Sequence, residues 1–277
     1  MGAAARGEAA AVKGAAMARR SCRTLAASVL TLAVMCGVWQ GAIVAFHLSP
    51  FVAKGPVSVF RYLTSDPDAA SNRSVLLQAL LITARDAALG YVAGTLAAVG
   101  VSLAVTWRRT LAQTVMPVAV ALRSVPLVAM VPVLSLVLGQ GLASVAVIAG
   151  IVTFFPTLVN VAQGLRSAPA ATYDLFSAYG ASDWEVLHKA RLPYALPSIF
   201  ASARIAAPGA LLGAVLAEWL STGQGLGDLM VTSSSTANYS MLWSSVVAIT
   251  VVSVLVYNAV AAVERPVIAR LGSATAS

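Results

Sequence analysis

Residues 172–197, TYDLFSAYGASDWEVLHKARLPYALP, are the only long polar interruption in the apolar second half of this chain. A segment so dense in charge cannot rest in hydrocarbon, where each ionised side chain costs about 2.5–3.5 kcal/mol even on insertion scales. It therefore lies outside the lipid. Its residue order predicts two short helices and a joint. Asp174 to Tyr179 forms the first, with Thr172 as its cap and Asp174 near its positive end. Gly180 allows a sharp turn that other residues resist. Ser182 caps the second helix, with Asp183 and Glu185 in its first turn and His188, Lys189 and Arg191 in its last, the polarity a helix dipole favours. Leu192-Pro193 ends it, because proline lacks an amide donor and disfavours helix in the residue before it.

The composition agrees with a membrane setting. A chain of 277 residues that is 59% hydrophobic and 10% charged, with mean hydropathy +0.84, does not fit a soluble domain. Its net charge of +8 is scattered between apolar runs rather than gathered on one face, and no nucleic-acid motif accompanies it. Cys22 and Cys36 are too few for a disulfide frame or a zinc site, and His47 and His188 each lack a second ligand at helical spacing.

From the start, residues 1–23 are alanine-rich and basic and are expected to be disordered and cytoplasmic. Residues 24–47, with the uncharged run Leu25 to Phe46, form a first transmembrane helix; the run is too long for the apolar core of a cleaved signal peptide. His47 to Ser74 is turn-rich and outside. Val75 to Thr106 is too long for one straight span and is divided at Arg85-Asp86 into a tilted or interfacial segment and a crossing. Gly90 and Gly94 within it let another helix approach closely, from the same chain or from a second copy. Leu111 to Leu138, with Pro117, Pro126 and Pro132, is a broken span, of the kind tolerated where backbone is buried in protein or lines a cavity. Leu142 to Val161 is the fourth span, Leu196 to Leu220 the fifth and Met241 to Val263 the sixth, with Ser221 to Ser240 outside. The expected architecture is an all-α polytopic membrane bundle of about six transmembrane helices with a cytoplasmic helix-turn-helix.

Orientation follows from the basic residues. Of the 18 Lys and Arg, twelve fall to one side: Arg6, Lys13, Arg19, Arg20 and Arg23; Arg108 and Arg109; Arg166, Lys189 and Arg191; Arg265 and Arg270. Lys54, Arg61 and Arg73 fall to the other. That asymmetry puts both termini, and the 172–197 segment, in the cytoplasm.

The segment resembles the cytoplasmic loop of permeases in binding-protein-dependent ABC importers, whose pattern is Glu-Ala-Ala, three residues, Gly, nine residues, Ile, one residue, Leu-Pro. Asp174 stands at the Glu position, Gly180 at the Gly and Leu192-Pro193 at the Leu-Pro, while Leu175, Phe176 and Ala190 depart from it. Arg123-Ser124-Val125-Pro126, Leu138-Gly139-Gln140-Gly141-Leu142, Ala203-Arg204-Ile205-Ala206, Ala217-Glu218 and Gly225-Leu226-Gly227 are similar to the sulfonate, taurine and nitrate branch of that family. The resemblance implies a permease domain over residues 75–264, with a coupling loop at 166–197 and a cytoplasmic tail at 265–277. It also implies a prokaryotic cell membrane, a homodimer, two cytoplasmic ATPase subunits and an external solute-binding protein. No nucleic acid is implied. The chain has no G-x-x-x-x-G-K-[ST] loop, so ATP is expected on the partner ATPase, and neither enzymatic activity nor a cofactor is expected here.

By that resemblance Asp174, Gly180, Ala181, Ser182, Leu192 and Pro193 couple to the ATPase. Arg123, Pro126, Arg204 and Glu218 are candidates for the solute path, since intramembrane charge faces a cavity or a partner. The alternative is that Arg204 pairs with Glu218, or snorkels to the surface, and stabilises the bundle, although the two lie fourteen residues apart, about 21 Å along one straight helix. The solute expected is a small anion such as a sulfonate, taurine or nitrate, or a vitamin precursor. An ion-gradient carrier is the rival class, with Glu218 and the broken span in its favour, but the charged loop has no duty there.

Overall fold

The computed structural model describes residues 30–107, 109–221 and 223–274. The predicted N-terminal tail, Cys22 and the start of the first span lie outside them. The chain divides into two compact units, Met1–Asp66 and Pro67–Ser277.

In the first unit, α1 covers Leu30–Ala45, the described part of the first predicted span. The following segment was expected to be turns, yet it holds helix α2, Pro56–Thr64. Pro56 sits in the first turn, where its missing amide has no intrahelical acceptor to lose.

The second unit is built on α3, Ala69–Trp107, a single helix of 39 residues. No break occurs at Arg85-Asp86. Asp86 is buried, and Arg85 Nε donates to its Oδ1 at 2.8 Å, so the pair neutralises itself and the helix continues. Ala79, Thr83, Ala87, Gly90, Gly94, Ala98 and Ser102 recur every three or four residues and form one buried stripe. That stripe meets α6, Leu142–Gly164. The approach is so close that a Cβ on Gly90 would lie 2.6 Å from Ala149 Cβ, and one on Gly94 would lie 2.9 Å from Gly150 Cα. The small-residue pair therefore packs within the chain.

Between these two helices the predicted broken span is α4, Arg109–Arg123, and α5, Leu127–Leu138, bent by 101°. Pro126 makes the bend. Pro117 and Pro132 stay inside the helices.

After α6 come α7, Ala170–Ala178, and α8, Asp183–Val186. α9, Leu192–Ser221, crosses back, α10 is Gly225–Ser235, and α11 is Tyr239–Ala274. α9 packs on α6 where Gly213 lies against Ala149 and Val152, and where Gly164 faces Ser198. The Gly- and Ser-rich segment predicted as loop is thus largely α10, and α11 runs past Glu264 through Pro266 instead of ending there.

Two expectations for the 172–197 segment need correction. Thr172 lies inside α7, whose N-cap is Pro169. Leu192-Pro193 does not end a helix: Leu187–Arg191 forms one π-helical turn that carries α8 directly into α9. The Leu192 N–H reaches back to the Leu187 carbonyl, and this widened turn stands just where Pro193 removes a donor and its ring crowds the preceding turn. Among the described residues, four helices are long and apolar enough to cross a membrane, or five with the bent α4–α5 pair as one span.

Candidate functional site

The joint between α7 and α8 is set by one backbone conformation. Gly180 has φ +66°, a left-handed value that costs other residues about 1–2 kcal/mol, and no atom lies within 4 Å of where its Cβ would be. Space is not the constraint there; the dihedral is. Beyond Ala181, Ser182 Oγ accepts the Glu185 N–H at 3.3 Å and Glu185 Oε2 accepts the Ser182 N–H at 3.1 Å, closing a capping box. Lys189 Nζ adds a 2.9 Å ion pair to Glu185 one turn on. The α8 turn is short, but every element of it is tied.

It is also fastened to α3. Arg191 Nη1 donates to the Thr106 carbonyl at 3.3 Å, and its guanidinium lies over the Tyr173 ring at 5.6 Å. Trp184 stacks on Trp107 with centroids 6.2 Å apart and touches His188 at 4.1 Å. α7, the joint and the start of the α8–α9 helix are thereby held to the last turn of α3. On the outer face Leu175, Tyr179 and Trp184 are exposed, and Asp174 points to solvent in the middle of α7.

A second constellation lies at the other end of α9. Glu218 is 2% exposed, and its Oε2 accepts from Thr83 Oγ1 at 2.8 Å and from the Gly227 N–H at 2.9 Å. Thr83 in turn accepts the Leu226 N–H at 2.8 Å. The carboxylate thus occupies the amino end of α10, where free amides and the helix dipole favour negative charge. Gly225 (φ +85°) and Gly227 approach so closely that a Cβ on either would meet Glu218, and one on Gly227 also the α9 backbone.

Arg204 pairs with Glu264 of α11 at 3.2 Å and lies over the Tyr257 ring at 5.8 Å. Arg123, in the last turn of α4, is exposed and makes no ion pair among the described residues. It borders a cavity of about 150 Å³ beside the bend, with Met130, Ile151 and Phe155 as apolar walls.

Residues 90–269 match the family model for the inner membrane component of binding-protein-dependent transport systems. The chain belongs to this family of ABC importer permeases. It is a membrane transport component and not an enzyme. A probable ABC transporter permease of Haemophilus influenzae is 27% identical over 83% of this chain and 91% of its own length. The formylaminopyrimidine transport permease ThiX of Halalkalibacterium halodurans is 34% identical, over 46% of this chain and 50% of its own. The riboflavin transport permease RibX of Chloroflexus aurantiacus is 29% identical, over 57% and 59%. The permease also shares its fold with a chain of the inward-facing MetNI methionine ABC transporter, at TM-score 0.59 and 20% identity, covering 74% of this chain and 99% of that one.

In the permease, Asp174, Gly180, Ala181, Ser182, Leu192 and Pro193 do fall on one continuous structural unit, α7 to the start of α9. Arg123 and Pro126 fall together at the bend. Arg204 and Glu218 join neither group, and each has a partner from another helix. The partners themselves were not predicted. A lone Thr83 in an apolar run gives no signal, whereas Glu264, an acid at a span end opposite an intramembrane arginine, could have been paired with Arg204.

Proposed function

We propose that α7 and the capped α8 turn are the surface on which the cytoplasmic ATPase acts, and that its closure swings α9 through the π turn. Permeases of this family work with such an ATPase and with a substrate-binding protein. The observation that carries the reading is the fastening of the segment: a left-handed joint, a closed capping box, and anchors from Arg191 and Trp184 to α3. A push on α7 or α8 is then passed to α9 and α3 together instead of being lost in a loose loop. ATP is bound by the partner, both termini lie on its side of the membrane, and two copies of the chain enclose the path. ATP-driven closure favours one of two packings of the bundle.

Arg123 and Pro126 line that path at the α4–α5 bend. The partners of Arg204 and Glu218 support a different duty for them, tying α9 to α11, and α9 to α3 and α10. The solute is a small organic or inorganic anion or a vitamin precursor: the Arg123 cavity supports the first, and the formylaminopyrimidine and riboflavin permeases among its relatives support the second. Gentle purification from the native membrane, followed by mass spectrometry, tests the assembly. Recovery with an ATPase and a binding protein is expected, and the small molecule held by the binding protein names the solute. Recovery as a lone oligomer, under conditions that keep ABC complexes whole, contradicts the reading.

A further inference from the structure

Where α3 ends and α4 begins, an open cleft of about 820 Å³ lies beside the α7 segment. Its lining mixes two chemistries, the polar Arg166, Arg191, Gln113 and Thr106 and the apolar Val105, Ala112 and Met116, with Tyr173 beside them and no acidic residue among the described residues that line it. Arg166 is exposed just past the end of α6 and makes no ion pair among the described residues. Arg191 spends one nitrogen on the Thr106 carbonyl, and its Nε is buried without a partner. Two arginines thus line one cleft, and neither has an ion pair among the described residues.

The level of the cleft follows from the helix ends. α3 stops at Trp107, which is half exposed, and α6 stops at Gly164, two residues before Arg166. Tryptophan and arginine at such ends mark the boundary between hydrocarbon and headgroups. Ala112 and Met116 lie one turn apart on α4 and carry the apolar wall from that boundary into the spanning region.

We propose that this cleft binds an anionic phospholipid of the leaflet facing α7. The phosphodiester headgroup sits between Arg166 and Arg191, with an acyl chain along Ala112 and Met116. Charge complementarity selects an anion, and the apolar wall selects one that carries a hydrocarbon tail over free phosphate. Arginine suits this role because its planar fork offers paired donors to phosphate oxygens. A lipid held here touches the same Arg191 that fastens the π turn to α3, so its occupancy stiffens the segment proposed above to take the ATPase. The binding itself does not depend on that proposed role.

The test is native mass spectrometry of the permease purified with its ATPase, after incubation with equimolar phosphatidylglycerol and phosphatidylcholine. The wild type retains phosphatidylglycerol in preference, and Arg166→Gln lowers that retention about fivefold, the equivalent of the ~1 kcal/mol attached to each basic residue near an anionic surface. Arg61→Gln on α2 leaves it unchanged. Arg166 is exposed at a helix end, so the variant is expected to fold, and an unchanged melting temperature checks this. Equal retention of the two lipids, or retention in Arg166→Gln matching the wild type, overturns the proposal. Displacement of the lipid by excess inorganic phosphate at constant ionic strength overturns the lipid assignment as well, because it makes the site a simple phosphate site.

Discussion

The Thr83 hydroxyl donates to Glu218 Oε2 at 2.8 Å across α3 and α9, while Thr83 Oγ1 itself accepts the Leu226 N–H of α10 at 2.8 Å. One small side chain thus joins three helices around a buried carboxylate. Thr83→Val keeps the shape and removes both bonds, leaving a buried amide and a buried acceptor short of partners. A loss of about 1–3 kcal/mol is expected, read as a lowered Tm of the purified permease. Thr83→Ser keeps the hydroxyl and should retain most of the stability. Equal loss in both variants would mean that the methyl group, and not the hydrogen bonds, holds this corner.

Gly180 separates backbone from bulk. Its Cβ position is empty, so Gly180→Asn, which tolerates left-handed φ, should transport solute nearly as the wild type does. Gly180→Val should insert and fold but lose uptake, because a β-branched residue resists that conformation. Normal uptake by Gly180→Val, with wild-type yield, would remove the joint from the mechanism.

Ser182→Ala opens the capping box at α8, at a typical cost of about 0.5–2 kcal/mol to the turn it caps. Faster amide exchange over Asp183–Val186, with α6 and α11 unaffected, is the expected result of hydrogen-exchange measurements.

The two arginines should part company. Arg204→Gln strands Glu264 and is expected to lower stability by on the order of 1–2 kcal/mol, with part of the loss recovered when Glu264→Gln is added. Arg123→Gln should leave stability alone and reduce uptake. Full uptake by Arg123→Gln would take that residue off the solute path.

Much of this arrangement was legible in residue order. The close helix approach at Gly90 and Gly94, a break within the span 111–138, the glycine joint at 180 and the Ser182 cap each follow from a local rule, and the structure has them, although of the three prolines in that span only Pro126 stands at the 101° bend. What was not legible depends on distant partners. α10 is rich in glycine and serine, poor helix formers, and its first turn packs where Gly225 and Gly227 close onto Glu218. Pro193 reads locally as a helix stop, and only the π turn before it shows how the helix continues. Gly94 shows the same limit from the other side. Its spacing marks a close contact, but that the contact is Gly150 of α6, and not a second copy, is seen only in three dimensions.

The most direct test of the coupling claim is site-directed cross-linking of Tyr179→Cys, in a permease with Cys22 and Cys36 replaced by serine, to single cysteines on the co-expressed ATPase. Tyr179 is 83% exposed at the end of α7. A cross-linked permease–ATPase product, whose yield changes when ATP is added, is the predicted result. No product from Tyr179→Cys, together with a product from Ser234→Cys on α10, would contradict it and move the ATPase to the other end of α9.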